Sequence, residues 1–354
     1  MKNTGRQRRI RLGKAIWLVG LLALLAGCGV PESDIATPSA TALPQPAADG
    51  PDGEILFVAT GNIYRWDGDV EQLTDDGQAR SPAWSSDGQR IAYVRTWDEG
   101  YSDLIIADRS GKEMKQLTNH RPDEEPWSRR FAHYAYWAID PDWSPTEPDQ
   151  IIYGSDKDGY EYDFPDDPED PGRLNDPIFL WLVERDGVDP YILNASMSLG
   201  IMQEDPDFDP TGRSVTFTAR EDVSATQIWT LNLDSAEANK LVEGLVSDPA
   251  WSPDGQSIAF IEQDGSGNNI YIVPSGGGEP YALTNGLDAA APTWAPDGSG
   301  LAFIELADSA FRVSFLPLKR EADGRITAGE PEVLFTTDGI DVPSGLSWRS
   351  RSNS

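Results

Sequence analysis

Two segments of the sequence concentrate the side chains that could carry chemistry. The first, NHRPDEEPWSRRFAHYAYWAI at 119–139, holds both histidines of the chain, His120 and His133, together with the pair Arg129 and Arg130. A catalytic zinc centre takes about three protein ligands, so two histidines in one segment do not predict a zinc or manganese site. No serine or cysteine has an evident base partner in the sequence. We therefore predict that the chain is not an enzyme.

The second segment, SDKDGYEYDFPDDPEDPGRLNDP at 155–177, is rich in carboxylates, the oxygen ligands that calcium prefers. Its candidate calcium ligands are Asp156, Asp158, Glu161 and Asp163. The spacing does not match an EF-hand loop, because no carboxylate stands at the end position that such a loop requires. A solvated acidic loop is the alternative, and calcium is the only cofactor that the sequence leaves open. Pairs such as Asp156 and Asp158 could also serve acid–base chemistry on a polymer substrate.

Aromatic side chains interleave with the arginines of the first segment, and rings beside guanidinium groups suit a sugar face or a peptide. Long loops on a rigid scaffold are where binding tends to occur. The candidate ligand-binding residues are Trp97, Tyr101, Arg129, Arg130, His133, Tyr134, Tyr136, Trp137, Tyr160 and Tyr162. The alternative is that rings such as Trp127 and Phe131 pack the segment against the rest of the protein.

A repeated phrase indicates which elements must position these segments. SDPAWSPDGQSIAFIE at 247–262 returns as AAPTWAPDGSGLAFIE at 290–305, and more divergent copies are SPAWSSDGQRIAYV, DPDWSPTEPDQIIYG, DPDFDPTGRSVTFTA and PSGLSWRS. The marker aromatics of the six copies are Trp84, Trp143, Phe208, Trp251, Trp294 and Trp348. A repeat of roughly 40 to 45 residues is typical of propellers with four-stranded blades. The copies alternate apolar and polar residues without helical periodicity, which predicts an all-β fold.

The two ends of the repeat region predict how the blades close into a ring. The segment GEILFVATGNIYRWDGDVEQLT supplies three strands without the strand that carries a marker aromatic, whereas the C-terminal GLSWRS supplies only that strand. Joining them gives six blades of four antiparallel strands, in which the C-terminal strand completes the N-terminal blade and removes the open sheet edges. We expect the marker aromatics to lie between neighbouring blades.

Strand direction alternates within a blade, so each kind of loop stays on one face of the disc. Pro253, Asp254 and Gly255 have the residue types of a tight turn between the first two strands of a blade. We call the face that carries this turn and its counterparts the turn face. Segments 119–139 and 155–177 are predicted on the opposite side, which we call the insertion face.

These repeats resemble those of the TolB-like six-bladed propellers, which are built from WD40-like (PD40) PxWSPDGxxIAF units. The resemblance covers 54–349; the copies at Trp251 and Trp294 match the motif most closely, and the copies at Phe208 and Trp143 depart from it. It implies a binding module. Propellers of this kind also occur in prolyl-oligopeptidase-like enzymes, but those need a hydrolase domain with a Gly-x-Ser-x-Gly motif, which the sequence lacks.

The N-terminus predicts export and lipidation. A basic stretch, MKNTGRQRRIRLGK, precedes an apolar run that is shorter than the roughly 20 residues of a membrane span. The run ends in LAGC at Cys28, the only cysteine, and this resembles the lipobox of bacterial lipoproteins. The predicted division is a signal peptide at 1–27, lipidated Cys28 with a Pro/Ala/Ser-rich linker at 28–52, the propeller at 53–350 and a tail at 351–354.

Charge limits the partners of the protein. The predicted signal peptide takes six of the 28 basic residues and none of the 59 acidic ones, which leaves a formal net charge of −37. Nucleic acid is excluded as a partner, since binding to phosphates needs a basic surface. We expect a monomer that touches the membrane only through its lipid, facing the periplasm or lying on the cell surface.

The sequence thus predicts a non-catalytic, lipid-anchored binding module that captures a protein or peptide of the cell envelope through the insertion face. A carbohydrate-binding surface lipoprotein is the alternative, in which rings of the same face stack on sugars: Trp97, Tyr101, Trp137, Tyr160 and Tyr162. A hydrolase or lyase acting on an envelope polymer is the third hypothesis.

Overall fold

A computed structural model describes the chain at residues 51–157, 177–184, 187, 190–193, 199, 202–220, 225–307 and 309–351. In this part of the chain the strands form six antiparallel sheets. Five sheets have four strands and the sixth has five, so the prediction of an all-β, six-bladed propeller is confirmed.

Blades 1 to 3 have the following strands. Blade 1 consists of β1 (Glu54–Ala59), β2 (Asn62–Trp66), β3 (Val70–Gln72) and the C-terminal β25 (Ser347–Arg349). Blade 2 consists of β4 (Ala79–Trp84), β5 (Arg90–Trp97), β6 (Tyr101–Asp108) and β7 (Glu113–Gln116). Blade 3 consists of β8 (Ala138–Trp143), β9 (Gln150–Ser155), β10 (Phe179–Glu184) and β11 (Tyr191–Ile192).

Blades 4 to 6 follow in chain order. Blade 4 consists of β12 (Met202–Phe208), β13 (Ser214–Arg220), β14 (Thr226–Asn232) and β15 (Ala238–Gly244). Blade 5 consists of β16 (Val246–Trp251), β17 (Ser257–Asp264), β18 (Gly267–Pro274) and β19 (Tyr281–Ala282). Blade 6 consists of β20 (Ala289–Trp294), β21 (Gly300–Ala307), β22 (Ala310–Arg320), β23 (Ile326–Ala328) and β24 (Glu332–Thr336), the last two of which both pair with β22.

The strand that carries the marker aromatic is the innermost of each blade, and these six strands surround a central channel. Three positions before each aromatic stands a residue with a left-handed backbone and φ between 44° and 65°: Ser81, Asp140, Asp205, Asp248 and Ala291 within the strands, and Gly345 just before β25. In blades 2 to 6 the pairing with the second strand shifts register at this point, as at a β-bulge. The phrase repeated in the sequence therefore encodes a bend as well as a turn.

The marker aromatics pack between blades, as predicted. The guanidinium of Arg349 in blade 1 lies 4.5 Å from the ring centroid of Trp84 in blade 2. The indole nitrogen of Trp294 in blade 6 donates a hydrogen bond of 3.0 Å to the carbonyl of Ala250 in blade 5. These contacts join neighbouring sheets.

The ring closes in blade 1, where β25 pairs with β1 and places Arg349 opposite Glu54. Their side chains form an ion pair of 2.6 Å, and both are largely buried. Trp348 of the same strand packs edge-on against Phe315 of blade 6, with ring centroids 5.9 Å apart. The predicted closure by the C-terminal strand is confirmed.

The recurring Leu-Thr pair follows the outermost strand of several blades and ties it to the strand beside it. In each case the threonine hydroxyl accepts a backbone N–H of the third strand at 2.9 Å: Thr74 from Ile63, Thr118 from Leu104 and Thr284 from Ile270. A side chain thus replaces a ladder hydrogen bond where the pairing ends.

A helix not predicted from the sequence interrupts the all-β pattern. It is α1 (Arg129–Tyr134), inside the insertion between blades 2 and 3, and the hydroxyl of Ser128 caps it by accepting the N–H of Phe131 at 3.0 Å. A 3₁₀ turn (Val342–Ser344) precedes β25. Among the residues described, none of the helices is long and apolar enough to cross a membrane.

Candidate functional site

The insertion face carries the 119–137 loop, which is anchored on blade 2. Phe131 of α1 is buried and meets Tyr101 edge-on, with ring centroids 6.1 Å apart. Tyr101 is buried as well and stacks on Trp97 at 5.9 Å. These three rings form a small satellite core between the loop and blade 2. Phe131 and Tyr101, and in part Trp97, therefore pack the loop against the propeller, as in the alternative interpretation of the sequence.

A buried carboxylate, Asp103, holds the start of the loop in place. It accepts the backbone N–H of His120 at 2.8 Å and the indole N–H of Trp97 at 3.1 Å. Burial, the largest effect, raises the pKa of Asp103, and the hydrogen bonds oppose that rise. His120 is also buried, and its Nδ1 donates to the carbonyl of Ser102 at 2.8 Å. Burial lowers the pKa of His120 to about 4, so this histidine is neutral at pH 7 and structural in its contacts.

Other candidates of the first segment lie on the outside of the loop. Arg130 pairs with Glu124 at 3.0 Å, and its guanidinium lies 5.6 Å from the ring centroid of Tyr134. Tyr136 meets His120 edge-on. Arg129 and Trp137 are exposed. The structure therefore brings these candidates into one loop, where Arg129, Arg130 and Trp137 are exposed and Tyr134 and Tyr136 are half-buried.

The second segment lies mostly outside the described residues. Of the candidate calcium ligands only Asp156 is described, and its carboxylate accepts the N–H of Trp137 at 2.7 Å. The remaining candidates, Asp158, Glu161, Asp163, Tyr160 and Tyr162, lie outside the described residues, as do Cys28 and the side chain of His133. Within the described part of the chain, no group of three or more His, Cys, Asp or Glu side chains could hold a metal ion.

The central channel is a second feature with the dimensions of a site. It contains a cavity of about 760 Å³ that reaches the turn face, where Asp87, Pro253 and Pro296 line it. Among the described residues that line it, six are carboxylates and one is a guanidinium, that of Arg349. Five of the carboxylates come from the innermost strands of blades 3 to 5: Asp140, Asp142, Asp205, Asp207 and Asp248.

The channel carboxylates are linked to neighbouring blades by hydrogen bonds. Asp142 accepts the N–H of Phe208 at 2.9 Å, and Asp207 accepts the N–H of Trp251 at 2.7 Å. Two residues before Asp142 on the same strand, Asp140 accepts a hydrogen bond of 2.8 Å from the hydroxyl of Ser81 in blade 2. In blade 1 the hydroxyl of Ser347 has the corresponding role and accepts the N–H of Trp84. The acidic residues thus connect neighbouring blades.

Burial raises the pKa of these carboxylates. It brings the pKa of Asp140 to about 6, with the charge of Asp248 adding to the effect, and the pKa of Asp142 to about 6. Glu204 follows the same rule: burial first and the charge of Asp140 second raise its pKa to about 7, while Arg220 opposes the rise. Burial and neighbouring carboxylates hold the pKa of Asp205 well above its ordinary value. The channel therefore resists full ionisation.

The sequence analysis missed this acidic lining, although a signal was present. The phrases DPDW, DPDF and DPAW place an aspartate three residues before the marker aromatic, and two of them place another directly before it. Aligned on the aromatic, they predict carboxylates at equal depth in adjacent blades. No histidine, cysteine or lysine is among the described residues that line the channel, so its walls contain neither a Ser–His nor a Cys–His pair.

Comparison with known proteins agrees with this architecture. The family model described as "TolB beta propeller domain" matches residues 180–332. The crystal structure of TolB from Acinetobacter baumannii is similar with a TM-score of 0.60 and 18% identity, over 84% of this chain and 66% of that one. A protein assigned as TolB from Agrobacterium tumefaciens gives a TM-score of 0.56 and 16% identity, over 85% of this chain and 98% of that one.

A curated relative matches a much shorter stretch. The "Uncharacterized peptidase YuxL" of Bacillus subtilis (strain 168) is 38% identical over 69 residues, which is 19% of this chain and 10% of the relative. This chain thus spans about two thirds of the Acinetobacter structure and a tenth of the Bacillus protein. Structural likeness at such low identity shows the fold alone.

Proposed function

We propose that this chain, a TolB-like six-bladed β-propeller, is a non-catalytic binding module that captures a protein or peptide of the cell envelope through its insertion face. In this proposal the protein lies outside the cytoplasm and is anchored by lipid on Cys28. The fold fits such a role, because propellers with one closed ring present loops on a rigid support.

The distribution of exposed apolar side chains carries the proposal. Among the described residues, seven large apolar side chains are exposed. Four belong to loops or strand ends of the insertion face: Trp127 at 74% exposure, Leu245 at 52%, and Trp137 and Phe311 at 38% each. The other three, Met114, Tyr191 and Val333, lie on outermost strands at the rim. Large aromatic side chains dominate binding energies at interaction sites, and three of the four on the insertion face are aromatic.

The point where the chain enters the propeller supports the same orientation. The innermost strands run from the insertion face to the turn face, and β1 is antiparallel to β25, so Glu54 begins β1 on the turn face. A lipid on Cys28 would therefore be joined to the turn face. A linker of about 24 residues has a root-mean-square span of roughly 25 to 30 Å. The insertion face can then point away from the membrane.

Carbohydrate binding is the second candidate, and the exposed ring of Trp137 favours it. Of the stacking rings predicted for this role, Tyr101 is buried and Trp97 partly so, which leaves Trp137 as the described ring with the greatest exposure. A glycan array probed with the soluble domain tests it, because stacking on sugars would give a signal that Trp137→Ala removes.

Capture of envelope proteins tests the first candidate. The soluble domain from Asp52 onward is crosslinked to solubilised source envelopes and compared with two triple variants, one on the insertion face (Trp127→Ser, Leu245→Ser, Phe311→Ser) and one on the rim (Met114→Ser, Tyr191→Ser, Val333→Ser). We expect proteins that the wild type and the rim variant capture and the insertion-face variant does not. Equal capture by all three would refute the insertion face as the binding surface.

Anchoring is tested separately with the full chain. Metabolic labelling with a radioactive fatty acid is expected to label the wild type, and Cys28→Ala is expected to lose the label and leave the membrane fraction. Equal labelling of Cys28→Ala would refute lipidation at this residue.

A further inference from the structure

On the insertion face, the side chain of Trp127 is not explained by contacts within the folded chain. Trp127 is the most exposed large apolar residue among those described, and its backbone is left-handed with φ of 66°. This conformation is unfavourable for a bulky L-residue and suits glycine or asparagine. The turn therefore does not account for a tryptophan at this position, and strained residues of this kind cluster at functional sites.

The loop holds Trp127 in a defined position. On its C-terminal side, the N–H of Ser128 donates to the carbonyl of Glu125 at 3.1 Å, and Ser128 caps α1. The helix is fixed in turn by Phe131, which is buried against Tyr101 of blade 2. The backbone at Trp127 is thus tied to the propeller core by a short chain of contacts, so little backbone entropy is left to lose when a partner binds the indole.

The basic and acidic side chains near Trp127 differ in their contacts and exposure. Arg130 is paired with Glu124 and stacks on Tyr134, and Arg121 forms a hydrogen bond with Tyr101. Asp123 and Glu125 are exposed on the N-terminal side of the tryptophan. Arg121 and Arg130 are therefore held by groups of the same chain, while Asp123 and Glu125 face outward.

We propose that Trp127 is the anchor of the insertion face and that its partner is a protein with an apolar pocket bordered by basic side chains. This inference rests on the proposed function and names the partner's chemistry. The formal net charge of −31, or −37 without residues 1–27, repels a second copy of this chain and an anionic membrane, and it attracts a basic surface. Asp123 and Glu125 favour a basic partner surface next to the indole for the same reason.

Photocrosslinking identifies the occupant in the intact system. The photoreactive residue p-benzoylphenylalanine replaces Trp127, Phe311 or, as the rim control, Val333 in the full chain expressed in the source cells. We expect position 127 to crosslink to a protein whose contacting surface is basic. Crosslinks from position 127 only to lipid, glycan, a second copy of this chain or an acidic surface would overturn the proposal, and so would none at all.

Affinity measurements with the purified crosslinked protein then test the role of the side chain. Trp127→Ala is expected to weaken binding about 30-fold or more, as hot-spot aromatics do, and Met114→Ala by less than about twofold. The double variant Asp123→Asn, Glu125→Gln is expected to weaken binding and to reduce its salt dependence. An effect of Trp127→Ala below about threefold would overturn the anchor role.

A stability measurement separates strain from binding. Trp127→Gly relieves the left-handed backbone, so we expect its melting temperature to be at or above that of the wild type while binding is lost. Crosslinks at position 311 without any at 127 would refute this inference and leave the proposed function standing. Absence of crosslinks at both positions would count against both.

Discussion

Replacement of Asp140 by asparagine should stabilise the propeller, and more so at pH 8 than at pH 5. The Asp140 carboxylate lies in the channel wall on β8, where it accepts the hydroxyl of Ser81 and the N–H of Asp205. Burial, and after it the charge of Asp248, raises the pKa of Asp140 from 3.8 to about 6. Asparagine keeps the shape of the side chain and one oxygen acceptor but removes the charge.

The size of the effect follows from the shift in pKa. Each unit corresponds to 1.36 kcal/mol, so at pH 8, where Asp140 is ionised in both states, ionisation costs the folded state up to about 3 kcal/mol. Because the folded pKa is the higher one, the native state binds the proton more tightly, and stability rises as the pH falls from about 7 toward 4. By pH 5 the wild type regains about 1 kcal/mol, and the advantage of Asp140→Asn should shrink by that amount.

A second group acts in the opposite direction in the wild type. His120 is buried with a pKa of about 4, and the unfolded chain takes up its proton below about pH 6.5. Its contribution to stability is therefore lost as the pH falls through the same window. Both proteins retain His120, so this contribution cancels when the wild type is subtracted from Asp140→Asn.

Urea unfolding at pH 8 and pH 5 provides the assay. The wild type, Asp140→Asn and the control Asp234→Asn, an exposed carboxylate of a turn in blade 4, are compared at both values. The difference in the free energy of unfolding between Asp140→Asn and the wild type should be positive at pH 8 and smaller at pH 5, and that of the control should stay near zero. A difference that is negative at pH 8, or equal at the two pH values, would refute the argument that burial makes this charge costly.

Three further predictions concern the scaffold. Ala236 is exposed with a left-handed φ of 59°, so Ala236→Gly should raise the free energy of unfolding by about 1 kcal/mol, whereas Ala310→Gly in the exposed end of β22 should lower it; equal effects would contradict this. Thr284→Val removes the acceptor for the N–H of Ile270 and should cost about 1–3 kcal/mol, and an unchanged urea midpoint would contradict it. Deletion of 346–354 removes β25 and exposes the edge of β1, so size-exclusion chromatography should detect association; a monomer with unchanged melting temperature would show that ring closure contributes little.

The number of blades and their closure could be predicted because each blade repeats the same sequence pattern, a strand with a marker aromatic followed by a turn. The aromatic before each tight turn and the lone strand around Trp348 are visible in the sequence, and both proved to be what sets the ring. Helix α1 could not be predicted in the same way. Its six residues, Arg129–Tyr134, are too few for a helical period, and Phe131 stabilises them only by docking on Tyr101 of another element.

The binding residues were harder to predict because exposure depends on contacts between distant segments. Trp97 and Tyr101 have the residue types of a binding surface, yet α1 covers Tyr101 and Trp97 packs beside it. Trp127 was named only as one ring of the loop, although it has the greatest exposure of the large apolar residues described. The channel carboxylates were part of the repeat phrase, and they converge only because the ring brings the innermost strands to one axis.

The channel and Trp127 contain the same kind of strained backbone and support opposite conclusions about function. Asp140, Asp205 and Asp248 stand at left-handed positions, which aspartate tolerates better than most residues, and other blades have Ser81, Ala291 and Gly345 there. Backbone geometry and the inter-blade hydrogen bonds therefore account for much of the acidic lining.

At Trp127 the residue type conflicts with the backbone instead of fitting it. A left-handed tryptophan costs on the order of 1–2 kcal/mol, and its largely exposed indole gains little packing that would offset the cost. Contacts within the chain explain the aspartates and leave the tryptophan unexplained. For that reason the search for a partner should begin at the insertion face, although the channel is the larger cavity.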